Sequence, residues 1–234
     1  MKRLILAALA TLGLAEAQSF SISPTGFYLN PANTNTAQVR VQNPGTTTMS
    51  FTVEVRRWTT ENGKHVYAPT RDVVVNPSSF TLKGGDAQVL RVGLLKKGGA
   101  AELTYRVFLQ QVPSKDSPVE TSQQGDAQMN LTKLIRMSLP VYVTPPSASP
   151  RVSFRAHQDG TQAVLDLVNT GSAHQTYRAL SVQVGGRTVT LGSAAVLGTS
   201  TLSLPLGDVG GAKELSVLYR DTEDREGRVT VTLP

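Results

Sequence analysis

His65, His157 and His174 are the residues best equipped for chemistry, because imidazoles serve as metal ligands and as proton carriers near neutral pH. They stand far apart, and none falls in an HExxH-type spacing. Zero cysteines exclude disulfides, thiolate zinc sites, cysteine nucleophiles and a lipidated cysteine anchor. Asp221, Glu223, Asp224 and Glu226 form an acidic cluster without the glycine of a calcium loop, and read as a solvated turn. The chain has no Gly-x-Ser-x-Gly elbow, no phosphate loop and no GxGxxG after a strand. No catalytic residue, cofactor or metal is therefore expected. Trp58, Tyr105 and Phe108 read as packing rather than a sugar-binding platform. Arg91 and the pair Arg71-Asp72 read as surface or interdomain ion pairs, and Asn130-Leu131-Thr132 matches a glycosylation triplet by composition alone. What remains is a binding module.

With 39% hydrophobic and 17% charged residues, the composition is that of a folding chain. Its N-terminus has the pattern of a cleaved secretory leader over residues 1–17: Lys2 and Arg3, an apolar run from Leu4 to Leu14, and Ala15-Glu16-Ala17 as the cleavage site. That run is too short for a hydrocarbon core, which needs about twenty residues, and no later run spans one, so stable membrane insertion is not expected. The net charge of +6 is spread over scattered basic residues, with only short pairs such as Arg56-Arg57 and Lys96-Lys97, which argues against a nucleic-acid partner.

Period-two alternation fills residues 18–143. Ala37, Val39 and Val41 alternate with polar neighbours up to the turn Asn43-Pro44-Gly45. Phe51, Val53 and Val55 do the same before Trp58 and the hairpin turn Asn62-Gly63. Further strands are predicted over Val89 to Leu94 and Leu103 to Val112, about seven in all, the count of an immunoglobulin-like sandwich. Pro113 to Gln128 reads as a surface loop. After it, Met129, Leu131, Ile135, Met137, Leu139, Val141 and Val143 share one parity, interrupted only by Lys133, and predict one unusually long strand. The proline-rich stretch 144–150 reads as a linker, and 151–234 as a second, Gly-rich β-sandwich domain.

The first domain resembles the PapD-like pilus-assembly chaperones, in particular the archaic, spore-coat-type branch. The resemblance is carried by Ser21-Ile22-Ser23-Pro24-Thr25, Val41-Gln42-Asn43, Asn76-Pro77-Ser78-Ser79-Phe80-Thr81-Leu82 and Gly85-Asp86-Ala87-Gln88-Val89-Leu90-Arg91-Val92. It continues through Leu103-Thr104-Tyr105-Arg106-Val107-Phe108-Leu109, Val112-Pro113 and Ser138-Leu139-Pro140-Val141-Tyr142-Val143, and through Val168-Asn169-Thr170-Gly171-Ser172-Ala173-His174 in the second domain. It implies an all-β chain of two immunoglobulin-like sandwiches. It also implies a periplasmic chaperone that lends a strand to pilus subunits and passes them to an outer-membrane usher.

On that resemblance the donor strand carries Met129, Leu131, Lys133 and Ile135, with Lys133 a departure from the apolar pattern. The family also holds the subunit's terminal carboxylate with basic residues in the cleft between domains, often a first-strand arginine and a last-strand lysine. Here Gly26 and Phe27 stand near the first position and Pro140 near the second, so Arg106 and Arg136 are the anchor candidates, each on the polar side of its strand. A free donor strand favours self-pairing into a homodimer until a client arrives. The alternatives are a secreted two-domain adhesion or matrix-binding protein without chaperone activity, and a structural pilus subunit. The internal position of the donor segment argues against the latter.

Overall fold

A computed structural model describes residues 20–96, 98–113, 119–124 and 127–234, with the backbone alone for 119–124 and 127–130; the expected leader, residues 1–17, lies outside the described residues. The described residues of the first half form twelve strands. They are β1 (Ser21–Ser23), β2 (Phe27–Leu29), β3 (Thr36–Gln42), β4 (Met49–Glu61), β5 (Lys64–Pro69) and β6 (Val73–Asn76), then β7 (Ser79–Leu82), β8 (Ala87–Leu94), β9 (Leu103–Val112), β10 (Val119–Gln124), β11 (Ala127–Thr132) and β12 (Arg136–Val143). One sheet runs β1-β3-β8-β6, and the facing sheet runs β2-β12-β9-β4-β5 with β7 also paired to β4. The predicted alternation produces this sandwich directly. Val39, Val41, Phe51, Leu90, Val92, Tyr105, Val107, Leu109, Leu139 and Val141 interlock as the core between the sheets.

The expected seven strands are thus too few, because the edges are built from short pieces that single-sequence alternation does not reveal. Two further expectations fail at one place. The segment Pro113 to Gln128 is not simply a loop: Val119–Gln124 pairs with β11 in a separate two-stranded ribbon. The long strand from Met129 to Val143 is broken at 133–135, between β11 and β12. The reason is a partner that runs out. β9 ends at Val112, followed by Pro113, which has no N–H to offer, so the regular ladder between β9 and β12 stops at the Arg136–Gln110 pair. The last tie is Gln111, whose backbone N–H donates to the Ile135 carbonyl at 2.8 Å and whose Oε1 accepts from the Ile135 N–H at 3.1 Å.

The second half has β13 (Val152–Asp159), β14 (Gln162–Asn169), β15 (Gln175–Val184), β16 (Arg187–Val196), β17 (Ser200–Gly207), β18 (Glu214–Asp221) and β19 (Glu226–Thr232). They form sheets β13-β14-β17 and β16-β15-β18-β19 around a core that includes Leu165, Leu167, Leu180, Val182 and Val217. The two sandwiches share one device. Asn43 Nδ2 donates to the carbonyls of Thr47 and Leu82, and its Oδ1 accepts from Gly45 N–H. Asn169 repeats this with Ala173, Val196 and Gly171. Both side chains are buried and stitch a turn to a neighbouring strand.

These contacts decide three side readings: Asp72 keeps the surface ion pair, and the other two are corrected. Asp72 is bound within the first half, accepting from Tyr105 Oη at 3.1 Å and lying 3.6 Å from Lys96 Nζ, rather than between domains. Arg91 Nε donates to the Gln38 amide oxygen. Asp221 is buried, not solvated, and its Oδ1 accepts from the N–H groups of Glu223 and Arg225, so the acidic turn is wound around it.

Candidate functional site

Odd-numbered positions of β4, β9 and β12 enter the core, so even-numbered ones line the outer face of that sheet. This face carries Glu54, Arg56, Trp58 and Thr60 from β4, Thr104, Arg106 and Phe108 from β9, and Arg136, Ser138, Pro140 and Tyr142 from β12. His65 and Tyr67 join from β5, opposite Thr60 and Trp58. At one end the second half covers it. Trp58 and Tyr142 pack with Leu197 as a small apolar cluster. Tyr142 stacks on His174, with ring centroids 3.4 Å apart and planes 2° from parallel. Ser203 N–H donates to the Gly63 carbonyl at 2.9 Å, and Glu102 N–H to Ser172 at 3.0 Å. Gly63 has φ of +74°, and a Cβ there would collide with Ser203, so the β4–β5 turn needs glycine twice over.

Arg106 sits where this covered region opens. Its guanidinium carbon lies 3.8 Å from the Trp58 ring centroid, and its Nη1 reaches the Ser138 carbonyl at 3.5 Å. No carboxylate lies within ion-pair distance of it among the described residues. Burial lowers its pKa from the ordinary arginine value, the mark of a cation kept partly out of water. Around it, Arg106 Nε, Trp58 Nε1, Thr60 Oγ1 and His65 Nδ1 are buried with no hydrogen-bond partner among the described residues. Such atoms are costly singly, at about 1–3 kcal/mol each, so their gathering in one place marks a site built for something other than stability. Burial, then the nearby Arg106 charge, lowers the pKa of His65, and burial pushes Tyr142 up to about 12. The ensemble is a positive, mostly neutral-walled corner suited to receiving one anionic group.

Arg136 lies on the same face but not in the same corner. It is opposite Gln110, whereas Arg106 is opposite Pro140. Its guanidinium is 4.7 Å from the Phe108 ring centroid, its Nη2 is 3.9 Å from Glu54 Oε1, and its side chain is 58% exposed. The two arginines are therefore not brought together as a pair. Gly26 and Pro140 are: a Cβ on Gly26 would lie 2.9 Å from Pro140 Cγ, so the positions flagged in the sequence are filled by close packing instead of charge.

In the donor segment, Leu131 is 48% and Leu134 39% exposed, Lys133 is exposed, and Ile135 is half-buried against Gln111. The side chain of Met129 lies outside the described residues. The edge of β12 matters more than any of these side chains. β2 pairs with β12 only over Val141, Tyr142 and Val143, which leaves Arg136 to Pro140 without a strand neighbour on that side among the described residues. Ile135 turns its N–H and C=O toward β9, and Thr144 N–H donates to Leu29 across β2, so even residues face the outer edge. Arg136 and Ser138 thus offer backbone donors and acceptors there, and Pro140 offers only a carbonyl.

Sequence reasoning assigned Trp58 to packing and weighed His65 only as a metal ligand. A signal existed: Trp58 stands on the polar parity of β4, where a large apolar side chain has no sandwich core to enter. Glu102, His174 and Leu197 carried no such signal, since their roles depend on how the halves meet.

Fold and site together define a protein of two immunoglobulin-like β-sandwiches in the PapD-like arrangement, with a basic corner beside an open strand edge. A profile of the family described as "Pili and flagellar-assembly chaperone, PapD N-terminal domain" matches residues 19–149. The chain belongs to this family, whose fold is that of non-enzymatic pilus chaperones. Among solved structures, it superposes on a chain of the CsuC–CsuE chaperone–tip adhesion subunit complex from the archaic Csu pili of Acinetobacter baumannii, with TM-score 0.69 and 18% identity over 92% of this chain and 99% of that one. A chain of the Salmonella enterica SafA pilin–SafB chaperone complex gives TM-score 0.61 and 17% identity over 94% and 99%. The Pseudomonas aeruginosa CupB2 chaperone gives 0.56 and 16% over 90% and 97%. A search of curated protein sequences returned no match.

Proposed function

We propose that this chain is a periplasmic chaperone that holds pilus subunits by donor-strand complementation and delivers them to an outer-membrane usher. The division on which this reading rests is a donor domain over 18–143, a linker over 144–150 and a supporting domain over 151–234. The observation that carries it is the unpaired β12 edge from Arg136 to Pro140, continuous with an exposed apolar segment and adjacent to the buried Arg106. A subunit missing one strand pairs its backbone with this edge and takes alternate side chains into its groove. Met129, Leu131 and Ile135 are the donors. Burying them contributes roughly 5–9 kcal/mol at about 1.5–3 kcal/mol each, before ordering costs. To use them, residues 133–135 straighten and β11 leaves β10, a two-stranded ribbon of the kind that is only marginally stable alone.

Lys133 lies in the donor register and lays its stem over a shallow, less apolar site in the client's groove. Arg106 accepts the client's C-terminal carboxylate. Arg136, paired with Glu54, steers approach instead of anchoring. The same open edge supports pairing between two free copies.

The test is native mass spectrometry of the protein recovered from the host periplasm, compared with Ile135→Asp. One-to-one complexes with a small secreted β protein, lost in the variant, are expected. A lone monomer or homodimer in both samples, with binding to cell-surface material, would instead establish a secreted adhesion protein.

A further inference from the structure

We infer that Trp58 is the positioning residue of the anchor, and that it makes the grip of Arg106 on its client depend on how the second half is seated. The inference rests on the reading of Arg106 as the carboxylate anchor. An arginine side chain is long and flexible, and a guanidinium binds a carboxylate well only when its edge is presented in a fixed plane. Here that plane is set by the indole, 3.8 Å from the guanidinium carbon. Ser138 accepts from Nη1 at the limit of hydrogen-bond length, and no carboxylate competes among the described residues.

Trp58 is itself held from the other side. It stands on the outer face of its sheet yet is fully buried, because Leu197 of the second half and Tyr142 close over it. Tyr142 is stacked on His174, and His174 is bound to the buried Glu102. His65 closes the remaining side with an edge contact at 4.9 Å. The indole Nε1 is buried without a hydrogen-bond partner among the described residues, an expense that a side chain serving only to fill space would avoid. A shift of the second half therefore tilts the indole, and with it the guanidinium.

The test is a double-mutant cycle on the isolated chaperone–client complex, reading its dissociation rate by exchange with excess tagged chaperone. Trp58→Leu is expected to speed dissociation about tenfold or more, with Trp58→Phe intermediate because it keeps a π face. In the Arg106→Ala background the same substitution should add little, since its target is gone. Leu197→Ala, which alters only what covers the indole, should give a smaller acceleration that also vanishes with Arg106→Ala. Equal effects in both backgrounds would reduce Trp58 to a structural role and overturn the inference while leaving the anchor intact. If Arg106→Ala alone leaves dissociation unchanged, the anchor reading falls, and the inference with it.

Discussion

Glu102 and His174, from opposite halves of the chain, are joined twice: the His174 backbone N–H donates to Glu102 Oε2 at 2.8 Å, and His174 Nδ1 lies 2.9 Å from both carboxylate oxygens. Thr144 Oγ1 donates to the same carboxylate, whose side chain is 1% exposed. Since the carboxylate only accepts, Nδ1 carries the proton. Removing the ring with His174→Ala leaves a buried charge with fewer donors and exposes one face of Tyr142. We expect a loss of about 3 kcal/mol, the lower end for a broken buried pair because two donors survive, measured as a drop in urea midpoint.

His65 gives the stability a pH dependence of known sign. Its folded pKa lies below the ordinary histidine value of 6.5, through burial first and Arg106 second. Below 6.5 the unfolded chain therefore binds more protons than the folded one, so this residue's contribution is complete above 6.5 and is lost as pH falls from there through the folded pKa. His65→Gln should flatten the stability profile in that window relative to the parent. Denaturant titrations at a series of pH values check it; parallel profiles would remove His65 as a source.

Asn43 and Asn169 do equivalent work in the two sandwiches, and each truncation removes a buried amide that donates to carbonyls on two segments and accepts from a glycine N–H. Asn43→Ala and Asn169→Ala should each cost about 2–3 kcal/mol. Limited proteolysis should show the cuts appearing first in the sandwich that lost its asparagine.

The open edge makes a sharper separation of fold from function. Ser138 directs its N–H outward, so Ser138→Pro removes a donor that the chaperone's own ladder does not use. Leu139→Pro removes one that β9 does use, and should unfold the sheet edge. We expect Ser138→Pro to keep a near-parental thermal midpoint while weakening client binding about tenfold or more, as measured by recovery of one-to-one complexes.

Much of this architecture is written locally. The parity of Phe51, Val53 and Val55, or of Tyr105, Val107 and Leu109, states which side of a strand is buried, and Asn43-Pro44-Gly45 and Asn62-Gly63 state where strands turn back. Alternation could not say that the run from Met129 to Val143 breaks at 133–135. The parity continues unbroken there, and what changes is that β9, the strand β12 pairs with, ends at Val112. Val119–Gln124 was illegible because Glu120-Thr121-Ser122-Gln123-Gln124 shows no apolar alternation that would mark a strand. Arg106 was visible as a polar-face cation, but its pairing with Trp58 joins two strands, and the burial of Trp58 comes from Leu197, far along the chain. Contacts of that kind belong to the assembled halves and leave no periodic trace.

The central claim is that a client strand pairs with the β12 edge, and amide hydrogen exchange on the purified complex addresses it directly. The amides of Arg136 and Ser138 face the open side in the free protein, while those of Met137 and Leu139 face β9. The account predicts that Arg136 and Ser138 exchange quickly when free and become strongly protected in the complex, with Met137 and Leu139 protected in both. An intact complex in which Arg136 and Ser138 still exchange at their free rates would contradict it.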